Sequence, residues 1–113
     1  MKNVLIIDDE KDFCQLVQGR LARKQMSLNC AHSLNEGVSK LQTTHPDVLL
    51  LDNNLPDGLG WKQAGALQKQ YPDMRIILLS AFDPLSYEET GVGLQFTRMS
   101  KPINFQELEQ YLA

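Results

Sequence analysis

The sequence predicts an α/β fold in which a five-stranded parallel sheet carries helices on both faces. Short apolar runs of strand length alternate with amphipathic stretches along all 113 residues, without a repeat or a linker. Three of these runs, which begin at Val4, Val48 and Ile76, are apolar throughout, as in strands buried on both faces. Because 42% of the residues are hydrophobic, the chain has enough apolar side chains for the core of one domain.

The first half of the chain is predicted to form two strands and two helices. The run from Val4 to Ile7 is a strand that ends at an acidic triplet, and a helix follows. Apolar residues recur in this helix at the spacing i, i+3, i+4, i+8: Phe13, Leu16, Val17 and Leu21. Leu28 and Cys30 alternate with polar residues, which is typical of an edge strand. Ser33 to Glu36 matches a capping box that opens the second helix, and His45-Pro46 ends it.

The second half is predicted to add three strands and three helices. The strand from Val48 to Leu51 delivers Asp52 to a turn at Pro56, Asp57 and Gly58, after which the third helix begins. The strand from Ile76 to Leu79 ends at Ser80. The last strand and helix are expected at Gln95 to Ser100 and after Asn104.

The segment from Phe82 to Gly93 is predicted to form a fourth helix that is short or distorted, because its apolar residues make a poor stripe and two glycines close it. Strict alternation of strands and helices predicts a doubly wound sheet. With the continuous apolar strands in the centre, the strand order is 2-1-3-4-5, which is the flavodoxin-like arrangement.

Charge and composition exclude several classes of function. The net charge of −3 argues against nucleic acid or an anionic membrane as a partner of this segment. No apolar run is long enough to span a bilayer, and the N-terminus lacks a signal peptide, so a cytoplasmic location is expected. In that reducing compartment Cys14 and Cys30 are expected to be small buried hydrophobic residues and not a disulfide.

Polar and charged residues stand at the carboxyl ends of four predicted strands, which is the edge where open α/β sheets bind ligands. These residues are Asp8, Asp9, Asp52, Ser80 and Lys101. Three carboxylates so close together must raise a pKa, bind a cation, or do both, and oxygen ligands favour Mg²⁺ as that cation. A metal ion, an ammonium and a hydroxyl around one carboxylate can hold a phosphoryl group. Asp52 is therefore predicted to accept one.

These residues, together with Leu55-Pro56-Asp57-Gly58 and Lys101-Pro102, resemble the receiver domain of two-component response regulators over essentially the whole chain. The resemblance implies that Asp52 takes a phosphoryl group from a histidine of a sensor kinase or phosphotransfer protein. It also implies that Asp8, Asp9, Asp52 and the backbone carbonyl of Asn54 hold Mg²⁺, and that Ser80 and Lys101 bind phosphoryl oxygens. Such a domain is not an enzyme beyond catalysing its own phosphoryl transfer and dephosphorylation.

Two features depart from the pattern of this family: the residue three positions before the lysine and the weak fourth helix. Receivers usually carry an aromatic residue three positions before the lysine, and it turns inward when the serine or threonine moves to the phosphate. Arg98 stands at that position here. Switching is therefore expected to work through Ser80, Arg98 and the weak fourth helix.

Two alternatives to a phosphorylated receiver stay open. The first is a degenerate receiver that binds proteins independently of phosphorylation. The second, an aspartate-nucleophile phosphatase, ranks last. Such enzymes carry an Asp-x-Asp motif on the first strand, whereas the first strand here ends in Asp-Asp-Glu and the candidate nucleophile follows the third. Residues 1–113 are predicted to form one receiver domain. Its end soon after the last helix begins leads us to expect a longer regulator with an output domain beyond residue 113.

Overall fold

The computed structural model of the chain describes residues 2–80, 96–101 and 103–112. It shows one parallel sheet of five strands: β1 (Asn3–Ile7), β2 (Ser27–Ala31), β3 (Val48–Asp52), β4 (Arg75–Ser80) and β5 (Thr97–Ser100). Their order in the sheet is β2-β1-β3-β4-β5. The predicted strand order is confirmed, with the three continuous apolar runs at the centre of the sheet.

Four helices flank the described part of the sheet. They are α1 (Lys11–Ala22), α2 (Leu34–Thr44), α3 (Ala64–Gln70) and the C-terminal helix (Phe105–Leu112). A turn of 3₁₀ helix, Gly60–Gln63, leads into α3. The predicted fourth helix, in the segment from Phe82 to Gly93, lies outside the described residues. No helix in the described ranges is long and apolar enough to cross a membrane.

Alternate side chains of the central strands build two cores, one on each face of the sheet. Leu5, Leu49 and Leu78 pack on the face that also holds Trp61 and Leu67. Their neighbours along the strands face the other way and pack with α1 and the C-terminal helix; they include Val4, Ile6, Leu50, Ile77 and Leu79. Because both faces of the sheet are covered, the side chains of its three central strands are almost all buried.

The predicted helix boundaries at α2 and at the C-terminal helix are confirmed by their hydrogen bonds. Ser33 Oγ accepts from the backbone N–H of Glu36 at 3.2 Å, as an N-cap does. At the other end of α2, His45 has a φ of 45° and precedes Pro46. Asn104 Oδ1 accepts from the N–H groups of Gln106 and Glu107, so it caps the last helix.

The buried face of α1 differs from the predicted one. Leu16 was expected in the apolar stripe but is 59% exposed, whereas Cys14 is buried. Cys14 forms a disulfide with Cys30 of β2, so the expectation of two reduced cysteines is wrong. The reason is that α1 packs directly against the edge strand and brings the two Cα atoms to 6.4 Å, within the range that a disulfide spans.

Candidate functional site

Asp8 follows β1 directly and lies at the centre of the candidate site. Its side chain is fully buried, and its Oδ1 accepts a hydrogen bond of 2.9 Å from the backbone N–H of Glu10. The backbone of Asp8 is held on both sides: its N–H donates to the carbonyl of Ala31, and its own carbonyl lies 2.9 Å from His32 Nδ1. The end of β1 is thus fixed by the neighbouring strand β2, while Asp9 is exposed to solvent.

Asp52 is the last residue of β3 and lies beside Asp8 and Asp9. Its side chain is buried, with only 6% of the residue exposed. One carboxylate oxygen from each of the three aspartates lies within 4.8 Å of the others. We call Asp8, Asp9 and Asp52 the acidic cluster. β1 and β3 are adjacent parallel strands, so their carboxyl ends meet at the same edge and bring these side chains together.

Lys101 supplies a positive charge to the acidic cluster. Its Nζ lies 2.5 Å from Asp8 Oδ2 and 3.8 Å from Asp52 Oδ1. A third carboxylate, that of Glu10, lies 2.9 Å from the same Nζ, and the ring of Phe13 lies 4.9 Å from it. Asp8 Oδ2 accepts no well-directed hydrogen bond, so its contact with Lys101 is best described as an ion pair.

The backbone of β4 and β5 fixes where this lysine lies. The N–H of Lys101 donates to the carbonyl of Ser80 at 2.8 Å, and Ser80 pairs with Ser100 across the two strands. Ser80 is buried at the end of β4. The last strand therefore presents Lys101 to the acidic cluster from beyond the end of β4.

The surroundings of Asp52 disfavour its ionised form. The pKa of Asp52 is raised from 3.8 to about 6: burial contributes most and the nearby charge of Asp8 adds to it, while Lys101 and the N–H of Asn53 act in the opposite direction. Burial also works to lower the pKa of Lys101, but the carboxylates of Asp8, Glu10 and Asp52 more than offset it, so that pKa is raised. Lys101 is therefore charged at neutral pH.

The turn after Asp52 is fixed by buried hydrogen bonds. Asn53 Oδ1 accepts from the backbone N–H of Trp61, and the carbonyl of Asn53 accepts from the N–H of Gly60 at 2.8 Å. A side chain at Gly60 would overlap the backbone carbonyl oxygen of Asp52, so only glycine fits there. The chain beyond Asp52 is thus folded back tightly against the strand that delivers this carboxylate.

Asp57 ties the same turn to α2. Its two carboxylate oxygens accept from the N–H groups of Leu34 and Asn35 at 2.8 and 2.9 Å. These N–H donors lower the pKa of Asp57, the bond from Asn35 contributing most. The first N–H groups of a helix have no partner within the helix. Asp57 caps two of them in α2, from 23 positions beyond Leu34 and 22 beyond Asn35.

The remaining predicted residues lie around the acidic cluster. Asn54 follows Asn53 and is exposed at the start of a two-residue ladder with Gly58–Leu59. Arg98 is partly buried on β5, where it pairs with Leu78 two residues below Ser80 and Ser100. The structure thus brings Asp8, Asp9, Asp52 and Lys101 into one cluster with Ser80 at its side, and Arg98 lies lower on the sheet.

Sequence reasoning missed four residues at the site. Glu10 and Phe13 contact Lys101, Asn53 anchors the turn, and His32 contacts the backbone of Asp8. Glu10 had a signal, because it adjoins the aspartate pair at the end of the first predicted strand. Phe13 and His32 depend on packing between distant segments, and Asn53 acts within the turn after Asp52. The sequence offered no pattern for these three contacts.

The acidic cluster fits a hard divalent cation. It offers carboxylate oxygens only, from side chains that are close enough to share one ion. The carboxylate of Asp8 is buried, and its Oδ2 pairs with the ammonium of Lys101 without accepting a well-directed hydrogen bond, so it is the kind of group that a cation stabilises. The donor set contains no histidine or cysteine, so among biological metals it suits Mg²⁺ better than zinc.

A flavodoxin-like sheet with an acidic cluster and a lysine at its carboxyl edge defines a class of α/β signalling modules. The family model for the response regulator receiver domain matches residues 4–113. The chain therefore belongs to the receiver domains of two-component response regulators. Domains of this family interact with histidine kinases or phosphotransfer proteins and generally act as signalling modules without enzymatic turnover of a substrate.

Solved structures similar to this chain come from the same family. A two-component response regulator from Clostridium difficile is 25% identical, with a TM-score of 0.84 over 98% of this chain and 92% of that one. The chemotaxis protein CheY4 of Vibrio cholerae is 25% identical, with a TM-score of 0.82 over 100% and 99%. The response regulator TrrA from Thermotoga maritima, solved in complex with Mg²⁺ and BeF, is 26% identical, with a TM-score of 0.82 over 98% and 96%.

Proposed function

We propose that this receiver accepts a phosphoryl group on Asp52 in a His-to-Asp phosphorelay. The proposal is carried by one observation: Asp52 lies in a cluster of three carboxylates from two strands, and the ammonium of Lys101 lies 3.8 Å from its Oδ1. A carboxylate is a sufficient nucleophile for phosphorus when the surrounding charges are neutralised. The complex of TrrA with Mg²⁺ and BeF supports the same chemistry in a relative of this chain.

The donor is a phosphohistidine of a sensor kinase or of a phosphotransfer protein. One carboxylate oxygen of Asp52 forms a bond to phosphorus while the bond from phosphorus to the histidine nitrogen breaks. The nitrogen keeps the electron pair and takes up a proton, so the products are an acyl phosphate and a neutral histidine. Asp52 must be ionised to attack, and with a pKa of about 6 it is mostly ionised at neutral pH.

Residues of this chain neutralise the charge of the transferred group. Mg²⁺, held by Asp8, Asp9, Asp52 and the backbone carbonyl of Asn54, would supply charge neutralisation at the phosphoryl oxygens. Lys101 Nζ and the hydroxyl of Ser80 bind the oxygens that face β4 and β5. The same residues then position the acyl phosphate for its own hydrolysis, which is the one further reaction that the domain catalyses.

The partner docks beside the site, over a groove of about 650 Å³ next to Lys101. Apolar side chains from both ends of the described chain line this groove, among them Phe13, Leu16, Ile103 and Phe105. The exposure of Leu16 supports this docking site, because a leucine turned to solvent beside a reactive centre suits an apolar protein contact. An output domain beyond residue 113 would receive the signal.

Switching is proposed to involve Ser80 and Arg98. Addition of beryllofluoride and Mg²⁺ is expected to shift the backbone NMR resonances of Arg98 and of its neighbours on β5, as well as those near Asp52. The reason is that Arg98 lies on β5 only three residues before Lys101, which directly follows this strand. Shifts confined to the immediate neighbours of Asp52 would contradict a role for Arg98.

Intact mass spectrometry after incubation with acetyl phosphate and Mg²⁺ tests the proposal. Wild-type protein is expected to gain the mass of one phosphoryl group, and the gain should disappear in Asp52→Asn or when EDTA removes the metal. Asp73→Asn is the matched control, because it makes the same change at an exposed position at the opposite end of β4. A wild-type mass that stays unchanged would instead favour the degenerate receiver that binds proteins without phosphorylation.

A further inference from the structure

We propose that Glu10 is a positioning residue that holds Lys101 in the unphosphorylated site and must release it when a phosphoryl group binds. The ammonium of Lys101 lies 2.9 Å from Glu10 Oε1, which is closer than the 3.8 Å that separates it from Asp52 Oδ1. This inference rests on the proposed phosphorylation of Asp52 and concerns the regulation of that same site.

The surroundings of Lys101 define where its ammonium rests. Asp8 and Glu10 contact it from the loop that follows β1, and the ring of Phe13 lies 4.9 Å away at the start of α1. All three partners therefore belong to one short segment of the chain. Asp52, the residue that would carry the phosphoryl group, is the most distant of the carboxylates that pair with Lys101.

Binding of a phosphoryl group draws Lys101 toward Asp52, which is the most distant of its carboxylate partners. An ammonium has three N–H donors, and an oxygen on phosphorus attached to Asp52 must come within about 3 Å to accept from one of them. Nζ lies nearer to Glu10 than to Asp52, so on this inference it turns from Glu10 toward Asp52. Asp8 is buried and remains a partner, whereas the side chain of Glu10 is 60% exposed, so water can solvate Glu10 after it is released.

The contact with Glu10 consequently favours the unloaded site over the loaded one. Ion pairs with one exposed partner contribute modestly, so removal of the Glu10 charge should raise the affinity of the loaded state by roughly two- to five-fold. Glutamine keeps the length of the side chain while it removes the charge. Asp12→Asn is the matched control, since it removes one negative charge from the same exposed end of α1 and changes no ion pair shown for Lys101.

Two measurements on the intact chain test the inference. In metal-free protein, Glu10→Gln should shift the NMR resonance of the Lys101 ammonium, and Asp12→Asn should leave it in place. With Mg²⁺ present, Glu10→Gln should bind beryllofluoride two- to five-fold more tightly than Asp12→Asn does.

The outcomes separate this inference from the proposed function. Equal beryllofluoride affinity in Glu10→Gln and Asp12→Asn, with wild type binding normally, would overturn the role of Glu10 alone. Weaker binding by Glu10→Gln would also overturn it, because Glu10 would then support the loaded state. Failure of wild type to bind beryllofluoride at all would overturn the proposed function and this inference with it.

Discussion

Lys101→Met is expected to destabilise the metal-free protein by about 3 kcal/mol at neutral pH, because it leaves buried carboxylates without their counter-charge. The side chain of Asp8 is fully buried, and that of Lys101 is only 12% exposed, so water replaces the lost ammonium poorly. Methionine has a similar length and suits the contact with Phe13, so the change removes the charge with little change in packing. Urea unfolding in EDTA measures the difference.

Two conditions should restore much of this stability. Mildly acidic buffer lets Asp52 take up a proton, which removes one of the repelling charges. Mg²⁺ should also restore stability, because it supplies a cation to the acidic cluster. Lys69→Met, at an exposed position of α3, is the control and should change stability by less than about 0.5 kcal/mol. Equal stability of Lys101→Met and Lys69→Met in EDTA would show that the lysine does not neutralise the cluster.

Asp52→Asn is expected to stabilise the metal-free protein at neutral pH. The folded state raises the pKa of Asp52 from 3.8 to about 6, so it binds this proton more tightly than the unfolded chain does. The stability that Asp52 contributes is therefore fully present below about pH 4 and is lost as the pH rises through about 6. Asparagine carries no charge and avoids this loss, which we place at about 1–2 kcal/mol after allowing for screening by solvent.

A pH series of thermal unfolding in EDTA checks both the sign and the window. The melting temperature of Asp52→Asn should exceed that of wild type at neutral pH, and the two should converge toward pH 4. Asp57→Asn should behave in the opposite way. The pKa of Asp57 is lowered by its hydrogen bonds, so its contribution to stability is present above its ordinary pKa and is lost only as the pH falls below it. A pH-independent difference for Asp52→Asn would contradict a raised pKa.

The sheet was predictable from sequence because burial on both faces leaves an unmistakable pattern. The runs at Val4, Val48 and Ile76 are continuously apolar, and they became β1, β3 and β4 at the centre of the sheet. Parallel strands that alternate with helices must end at one edge, so the meeting of Asp8, Asp52 and Lys101 followed from the strand order. The cluster was thus determined by topology and did not depend on detailed packing.

Features that depend on contacts between segments could not be predicted in this way. The pairing of Cys14 with Cys30 depends on how closely α1 packs against β2, which periodicity does not reveal. Asp57 accepts hydrogen bonds from α2, more than 20 positions away in the sequence. An aspartate is common in a turn such as Pro56-Asp57-Gly58, so the sequence pattern did not point to this contact. Leu16 fitted the helical spacing, but a small rotation of α1 about its axis is enough to turn this side chain from the core to solvent, where it lies.

Chemical trapping of the acyl phosphate tests most directly whether the acidic cluster and Lys101 make Asp52 reactive. Borohydride reduces an aspartyl phosphate to homoserine, so protein treated with acetyl phosphate and Mg²⁺ can be reduced, digested and sequenced by tandem mass spectrometry. We predict homoserine at position 52 and at no other aspartate, and none in a sample without Mg²⁺. Homoserine at a different aspartate, or its absence from phosphorylated protein, would contradict the proposed role of Asp52.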